Sequence, residues 1–336
     1  MSTAVAQAAP PRAVPDRTGL RLAGGALFWA AWLGAYFALP GYLPLLGQMA
    51  IAALFALSLD LLVGYAGVVT LGHAAFFGLG AYAAGLLAAH GWGEPLSGLL
   101  IAAAAAALLG LATAPLVLRG GDLAGLMVTL GIAMMLFEAA NKAAWLTGGA
   151  DGLQGVEVWP VLGIWRFDLY GRTAYLYSLA VLMLLFALAR LVVASPFGLA
   201  LRGIRCNARR MHALGTPVRA RLVAAYALSA AYAGVAGALL AQTTQFVSLD
   251  VLSFQRSAEG LLMLVLGGLG RLYGGVVGAV GFTVAHHLLS EMTPQFWQFW
   301  IGLALVALAI AGRGGALGLL EALGTRLRRG GGGGGA

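Results

Sequence analysis

Residues 44–63 read PLLGQMAIAALFALSLDLLV, an apolar run in which Asp60 is the single charge. At about 1.5 Å per residue, a helix of that length covers about 30 Å, the thickness of a hydrocarbon core. The pattern recurs on both sides. Window hydrophobicity and the placement of arginines predict about ten membrane segments, at approximately 24–40, 44–63, 66–89, 96–118, 123–143, 173–193, 222–241, 257–270, 272–290 and 295–312. The eighth is too short to cross, which predicts a broken or re-entrant helix. The expected fold is all-α, a polytopic transmembrane helical bundle.

Composition agrees. Hydrophobic residues make up 61% of the 336 positions and charged residues 10%, against roughly 45–50% and 25% in soluble domains. Mean hydropathy is +0.89. The formal charge of +8 reads as membrane topology, not as a nucleic-acid surface. The single Cys206 excludes an internal disulfide framework and a multi-cysteine zinc site.

Arginines set the expected orientation. Arg12, Arg17 and Arg21 precede the first segment, Arg119 follows the fourth, Arg190 closes the sixth, and Arg313, Arg326, Arg328 and Arg329 follow the last. The connection 195–221 carries Arg202, Arg205, Arg209, Arg210, Arg219 and Arg221 and no acid. With both termini cytoplasmic and an even segment count, all of these fall on one face. The loop 145–173, with Asp151, Glu157 and Asp168, then lies outside. Residues 1–22 read as a disordered cytoplasmic leader, 23–320 as one transmembrane domain, and 321–336 as a flexible Arg/Gly-rich tail.

Glycines cluster in two places. Gly64, Gly67, Gly72, Gly78, Gly80 and Gly85 stud the third segment; Gly267, Gly268, Gly270, Gly274, Gly275, Gly278 and Gly281 stud the eighth and ninth. Small residues of this kind either let helices pack closely or mark unwound backbone along a solute path. Clusters in both halves favour a transporter of two repeats, with path candidates Gly72, His73, Phe76, Gly78, Glu259, Gly267, Gly268 and Gly270.

In the 195–221 connection, Ser195-Pro196 predicts a capped helix start. Leu201, Ile204, Ala208 and Met211 fall on one helical stripe and Arg202, Arg205 and Arg209 on another, with Gly215 and Pro217 as the stop. The resulting amphipathic helix suits either anionic lipid headgroups or docking of a cytoplasmic motor. Asp60, Glu138 and Glu259 are charges that a membrane segment holds only in a buried or wetted place. Glu138 and Lys142 stand i,i+4 and can pair. His73 suits a solute carboxylate or another helix. Adjacent His286 and His287 point apart, and HEXXH, GXSXG and Walker motifs are absent. No enzyme, cofactor or metal site is expected in this chain.

The run SPFGLALRGIRCNARRMHALGTPV (195–218) resembles the cytoplasmic loop of branched-chain amino acid ABC transporter permeases. LLVGYAGVVTLGHAAFFGLGAY (61–82), LTGGADGLQGV (146–156), AEGLLMLVLGGLGRLYGGVVGA (258–279) and AGRGGALGLL (311–320) resemble the same family in the same order, covering about 45–320. The resemblance implies an importer permease subunit of two pseudo-symmetric halves in a bacterial inner membrane, working by alternating access. It implies two ABC ATPase subunits carrying ATP and Mg, a second homologous permease and an extracytoplasmic solute-binding protein. ATPase coupling would fall to Arg202, Ile204, Arg205, Arg209, Leu214 and Gly215, and the external loop to Thr147, Gly148, Gly149, Asp151 and Gly152. Two departures stand out: Cys206-Asn207-Ala208-Arg209-Arg210 replaces an acidic run, and Asp60 stands where an uncharged residue is usual. Rival readings are a permease for urea, an amide, an aromatic acid or a sugar, an ion-coupled secondary transporter using Asp60, Glu138 or Glu259, and a non-transporting scaffold.

Overall fold

A computed structural model describes residues 18–168 and 170–292, with positions 296, 299, 300, 302 and 303. Most of the expected tenth segment, the Arg-rich tail and most of the leader lie outside the described residues. The chain falls into two compact units, one up to Leu43 and one from Pro44 onward.

The first unit holds α1 (Thr18–Ala38) and a 3-10 turn, Pro40–Tyr42. The second contains α2 (Leu43–Leu59, begun by the last residue of the first unit), α3 (Ala74–Ala89), α4 (Pro95–Val117), α5 (Asp122–Lys142), the short α6 (Ala144–Thr147) and α7 (Arg172–Ala194). These are followed by α8 (Pro196–Cys206), α9 (Ala208–Ala213), α10 (Val218–Thr244), α11 (Phe254–Gly267) and α12 (Leu272–Met292). Among the described residues, six helical stretches are long and apolar enough to cross a membrane, and Leu27–Ala38 and Ala74–Ala89 are shorter apolar helices. Among the described residues there is no strand, only isolated bridges such as Leu153 with Val247. The chain is an all-helical, multi-pass membrane protein.

Helix α10 is the hub, because its residues are small enough to admit neighbouring backbones. A Cβ on Gly237 would lie 1.8 Å from the Phe77 carbonyl oxygen of α3, and one on Gly234 2.5 Å from the Ala106 methyl of α4. In lipid, where apolar surface gives helices no preference for one another, such close contact and interhelical hydrogen bonds hold a bundle together. Gln242 on α10 supplies two of the latter: its Oε1 accepts from Tyr177 Oη of α7 at 2.9 Å, and its Nε2 donates to Pro95 O of α4 at 2.9 Å. Large apolar side chains on α4, α5 and α7 face outward, Leu100, Met127 and Leu191 among them. That exterior suits lipid.

Two sequence expectations need correction. The third segment was expected to run as helix from 66, but residues 67–73 are non-helical and α3 begins at Ala74. The cause is local: α2 widens into a π turn, Asp60–Ala66, which Gly67 closes with φ +78°. Hydroxyls then replace the helical partners of the freed amides. Leu71 N donates to Thr129 Oγ1 (3.3 Å), Gly72 N to Thr70 Oγ1 (3.2 Å) and Ala74 N to Ser257 Oγ (2.8 Å).

The second correction concerns the 195–221 connection, expected as one helix capped by Ser195. Ser195 Oγ donates instead to Val192 O at 2.6 Å, the last turn of α7, and does not cap α8. The helix then breaks at Asn207, which is extended (φ −161°, ψ 96°) and whose side chain caps α9 by accepting from Arg210 N at 2.9 Å. An Asx side chain competes with helical backbone in this way. Met211 still meets α8, its Sδ 2.7 Å from where a Cβ on Gly203 would stand.

A bulky residue at the hub should therefore unfold the bundle while one at an open glycine should not. Gly237→Val is expected to cost about 3 kcal/mol or more. Gly131→Ala, with nothing within 4 Å of the added methyl, should be neutral or slightly stabilising. Thermal unfolding of both variants in one detergent checks this; equal midpoints would show that α10 is not packed so closely.

Candidate functional site

Three elements that are distant in sequence meet at the end of α2. Asp60, at the start of the π turn, is fully buried, and its Oδ1 accepts the backbone N–H of Gly270 at 2.7 Å. Gly270 lies in the break between α11 and α12 at φ +76°, a conformation that strains any residue with a Cβ. The two segments approach closely: a Cβ on Gly64 would fall 1.9 Å from Asp60 Oδ1 and 2.7 Å from Gly270 N. The third element is α8. Its Arg205 donates from Nη1 to the carbonyl of Gly64, and Arg202 lies over the Tyr65 ring at 5.3 Å from its centroid. Leu201 and Ile204 are buried beneath the same helix. Asp60 Oδ2 is buried and has no hydrogen-bond partner.

The residues named for ATPase coupling thus divide in two. Arg202, Ile204 and Arg205 hold α8 to the π turn. Arg209, Leu214 and Gly215 are exposed beyond the Asn207 break, on and after α9. The single cysteine, Cys206, is exposed at that break.

The path candidates also divide. Gly72, His73, Phe76 and Gly78 are enclosed. Gly72 abuts the Thr129 carbonyl, and a Cβ on Gly78 would lie 2.3 Å from Leu252 Cδ2. His73 is fully buried, its Nε2 2.9 Å from Ser58 Oγ of α2, with Phe55 and Phe76 rings each 5.6 Å away. Ser58 Oγ donates to Phe55 O at 2.6 Å, which makes His73 Nε2 the donor and leaves Nδ1 without a partner. Of its two sequence readings, His73 meets another helix. Gly267, Gly268 and Gly270 form the second break; a Cβ on Gly267 would lie 1.7 Å from the Gly274 carbonyl oxygen.

Glu259 alone of these candidates lines a cavity of about 400 Å³ between α2, α3, α11 and α12. Its Oε2 stands 3.2 Å from Arg256 Nη1, and Arg256 Nη2 stands 3.6 Å from Asp250 Oδ2. Arg256 escaped the sequence reading because the eighth segment was begun at 257. The signal was present as Arg256-x-x-Glu259, an i,i+3 pair on one helix face. Glu138 and Lys142 pair at 3.4 Å as expected, both exposed.

The glycine loop after α5 is built rather than slack. Thr147 Oγ1 donates to Ala140 O at 2.5 Å and accepts from Gly149 N at 3.3 Å, while Gly148 and Gly152 take φ +77° and +76°. Leu153 and Val247 exchange backbone hydrogen bonds of 2.8 and 3.2 Å, fastening the loop to the turn before α11. Asp151 is exposed on it.

Residues 41–309 match the family described as branched-chain amino acid transport system, permease component. The chain is similar to the high-affinity branched-chain amino acid transport system permease proteins LivM of Salmonella typhimurium and Escherichia coli. It is 31% identical to the first over 286 residues and 30% to the second over 285. Each alignment takes in 76% of this chain and 65% of the relative, so the chain covers just under two thirds of their length. No solved structure gives a significant match.

The junction predicts an unequal response to two small changes. Gly64→Ala must push Asp60 off Gly270 and is expected to cost about 2 kcal/mol or more. Asp60→Asn keeps an oxygen for Gly270 N–H and removes a buried charge, so it should stay within about 1 kcal/mol of wild type. Unfolding midpoints read both, and a Gly64→Ala protein as stable as wild type would show that the two breaks do not approach so closely.

Proposed function

The chain belongs to the branched-chain amino acid transport permease family, and on that premise we propose that it is the membrane-spanning subunit of an ABC importer. It moves branched-chain or related amino acids across a bacterial inner membrane by alternating access. Two ATPase subunits carrying ATP and Mg drive it, a second homologous permease completes the pore, and an extracytoplasmic binding protein delivers the solute. About ten segments in two pseudo-symmetric halves, with both termini cytoplasmic, complete the reading.

The observation that carries it is the seating of α8 on the π turn through Arg205 and Gly64. A helix that joins a cytoplasmic face to the meeting point of two broken membrane segments can turn a push into a parting of those segments. An ATPase would bear on the exposed Arg209 and Leu214, α8 would move, and the Asp60–Gly270 contact would open or close. Coupling of this kind needs a two-state element biased from outside, and a junction held by a few hydrogen bonds supplies one. The glycine loop with Asp151 is the face for the binding protein.

The unpartnered Asp60 Oδ2 favours a second reading, an ion-coupled carrier that uses this carboxyl as a relay. Affinity purification from native membranes separates the two. Recovery of Walker-motif ATPases and a second polytopic permease is expected; reproducible recovery of the chain alone, in a detergent that preserves ABC complexes, would move the assignment to a secondary transporter.

The two halves of the coupling loop should also fail differently. Arg209→Glu is expected to reduce ATPase recovery while leaving the bundle's unfolding midpoint unchanged. Arg205→Glu should keep the ATPases bound and uncouple hydrolysis from uptake, because it places a carboxylate against the Gly64 carbonyl. Normal coupling in Arg205→Glu would remove the junction from the mechanism.

A further inference from the structure

We propose that the cavity between α2, α3, α11 and α12 recognises both charged ends of an α-amino acid. Arg256 takes the solute carboxylate and Glu259 its ammonium. The assignment rests on the importer reading and adds the residues that would select its solute.

The chemistry of the lining carries it. Arg256 and Glu259 form an ion pair at 3.2 Å, with side chains 34% and 16% exposed, so that both charges are largely withdrawn from solvent. Asp250, at 64% exposed, is largely screened by solvent. The pair is incompletely satisfied: Arg256 Nη2 reaches Asp250 only at 3.6 Å, and Nε has no partner. Gln255 Nε2 donates to the other oxygen of Glu259 at 3.2 Å, holding the carboxylate toward the cavity.

A zwitterion inserts into such a pair without leaving a charge alone. Its carboxylate replaces Glu259 on the guanidinium, where a second donor is available for a bidentate contact. Its ammonium meets the Glu259 oxygen that has been released. A solute with one charge would break the pair and satisfy half of it, and a buried charge without a partner is strongly unfavourable. Urea or a sugar would replace neither member. Gln48, Asp250, Gln255, Thr283 and His286 add polar lining, and the apolar part of the wall is formed by Ile51, Phe55, Phe77, Met263 and Phe282. That wall suits an aliphatic side chain, and a cavity of about 400 Å³ lies within the usual ~300–1,000 Å³ of small-molecule pockets.

The location fits passage as well as binding. Next to Glu259 on α11, a Cβ on Gly260 would lie 2.5 Å from the Phe55 ring and 2.7 Å from Leu59 Cδ1. Phe55 and Gly260 line the cavity and Leu59 is the residue before Asp60, so this apolar contact links the cavity wall to the junction that α8 grips.

The test is saturation-transfer NMR on the complex purified from native membranes, without binding protein, using L-leucine, leucinamide and 4-methylpentanoate as probes. Leucine is expected to bind and each single-charge analogue to bind about tenfold more weakly. Equal binding of all three to wild type would overturn the proposal, and that comparison needs no variant to fold. Arg256→Gln should reverse the order toward leucinamide and Glu259→Gln toward 4-methylpentanoate, which a merely structural pair would not do. A uniform loss for all three probes in both variants, with unchanged unfolding midpoints, would also overturn it. If leucine does not bind while ATPases co-purify, the site fails and the importer reading stands. If the chain co-purifies with no ATPase, the reading beneath the proposal fails.

Discussion

A backbone N–H or C=O left unpaired in hydrocarbon costs several kcal/mol, and this chain interrupts its helices twice inside the bundle. Each interruption is therefore also a demand for partners. The stretch 67–73 meets it with hydroxyls drawn from α5 and α11, Thr129 and Ser257. The break 268–271 meets it with Asp60, which receives the Gly270 amide. The carbonyl of Gly64 meets it with Arg205. Satisfying the backbone thus ties α8 and the breaks before α3 and α12 into one assembly.

Much of this is legible in composition and period. Segments of twenty apolar residues announce their helices, and the boundaries fall close to expectation because arginines and prolines punctuate them: α4 was expected at 96–118 and runs Pro95–Val117. The glycine clusters were legible as special backbone, and the structure shows both close packing and interrupted helix among them. Gly64 and Gly270 sit at broken helix, whereas Gly237 and Gly278 are sites of close packing.

What escaped the sequence depended on tertiary partners. The π turn at Asp60–Ala66 leaves no period in an apolar run, since every residue in it is buried. The break at Asn207 interrupts an otherwise good amphipathic stripe. Arg202 and Arg205 look like solvent-facing charge on a helical wheel, and both stay exposed, yet their guanidinium groups reach Tyr65 and the Gly64 carbonyl. Asp60 is legible as an unusual membrane charge, but its partner is a backbone amide 210 residues away.

The junction and the cavity are made of different materials. One joins the main chain at Gly64 and Gly270 through the carboxyl of Asp60 and the guanidinium of Arg205; the other is a surface of side chains such as Ile51, Phe77 and Met263. Substitutions that reshape the cavity leave the atoms of the junction where they are. On the proposed reading, a lineage of such proteins can therefore drift from one solute to another, trading methyl groups and rings along the wall, while inheriting its joint unaltered.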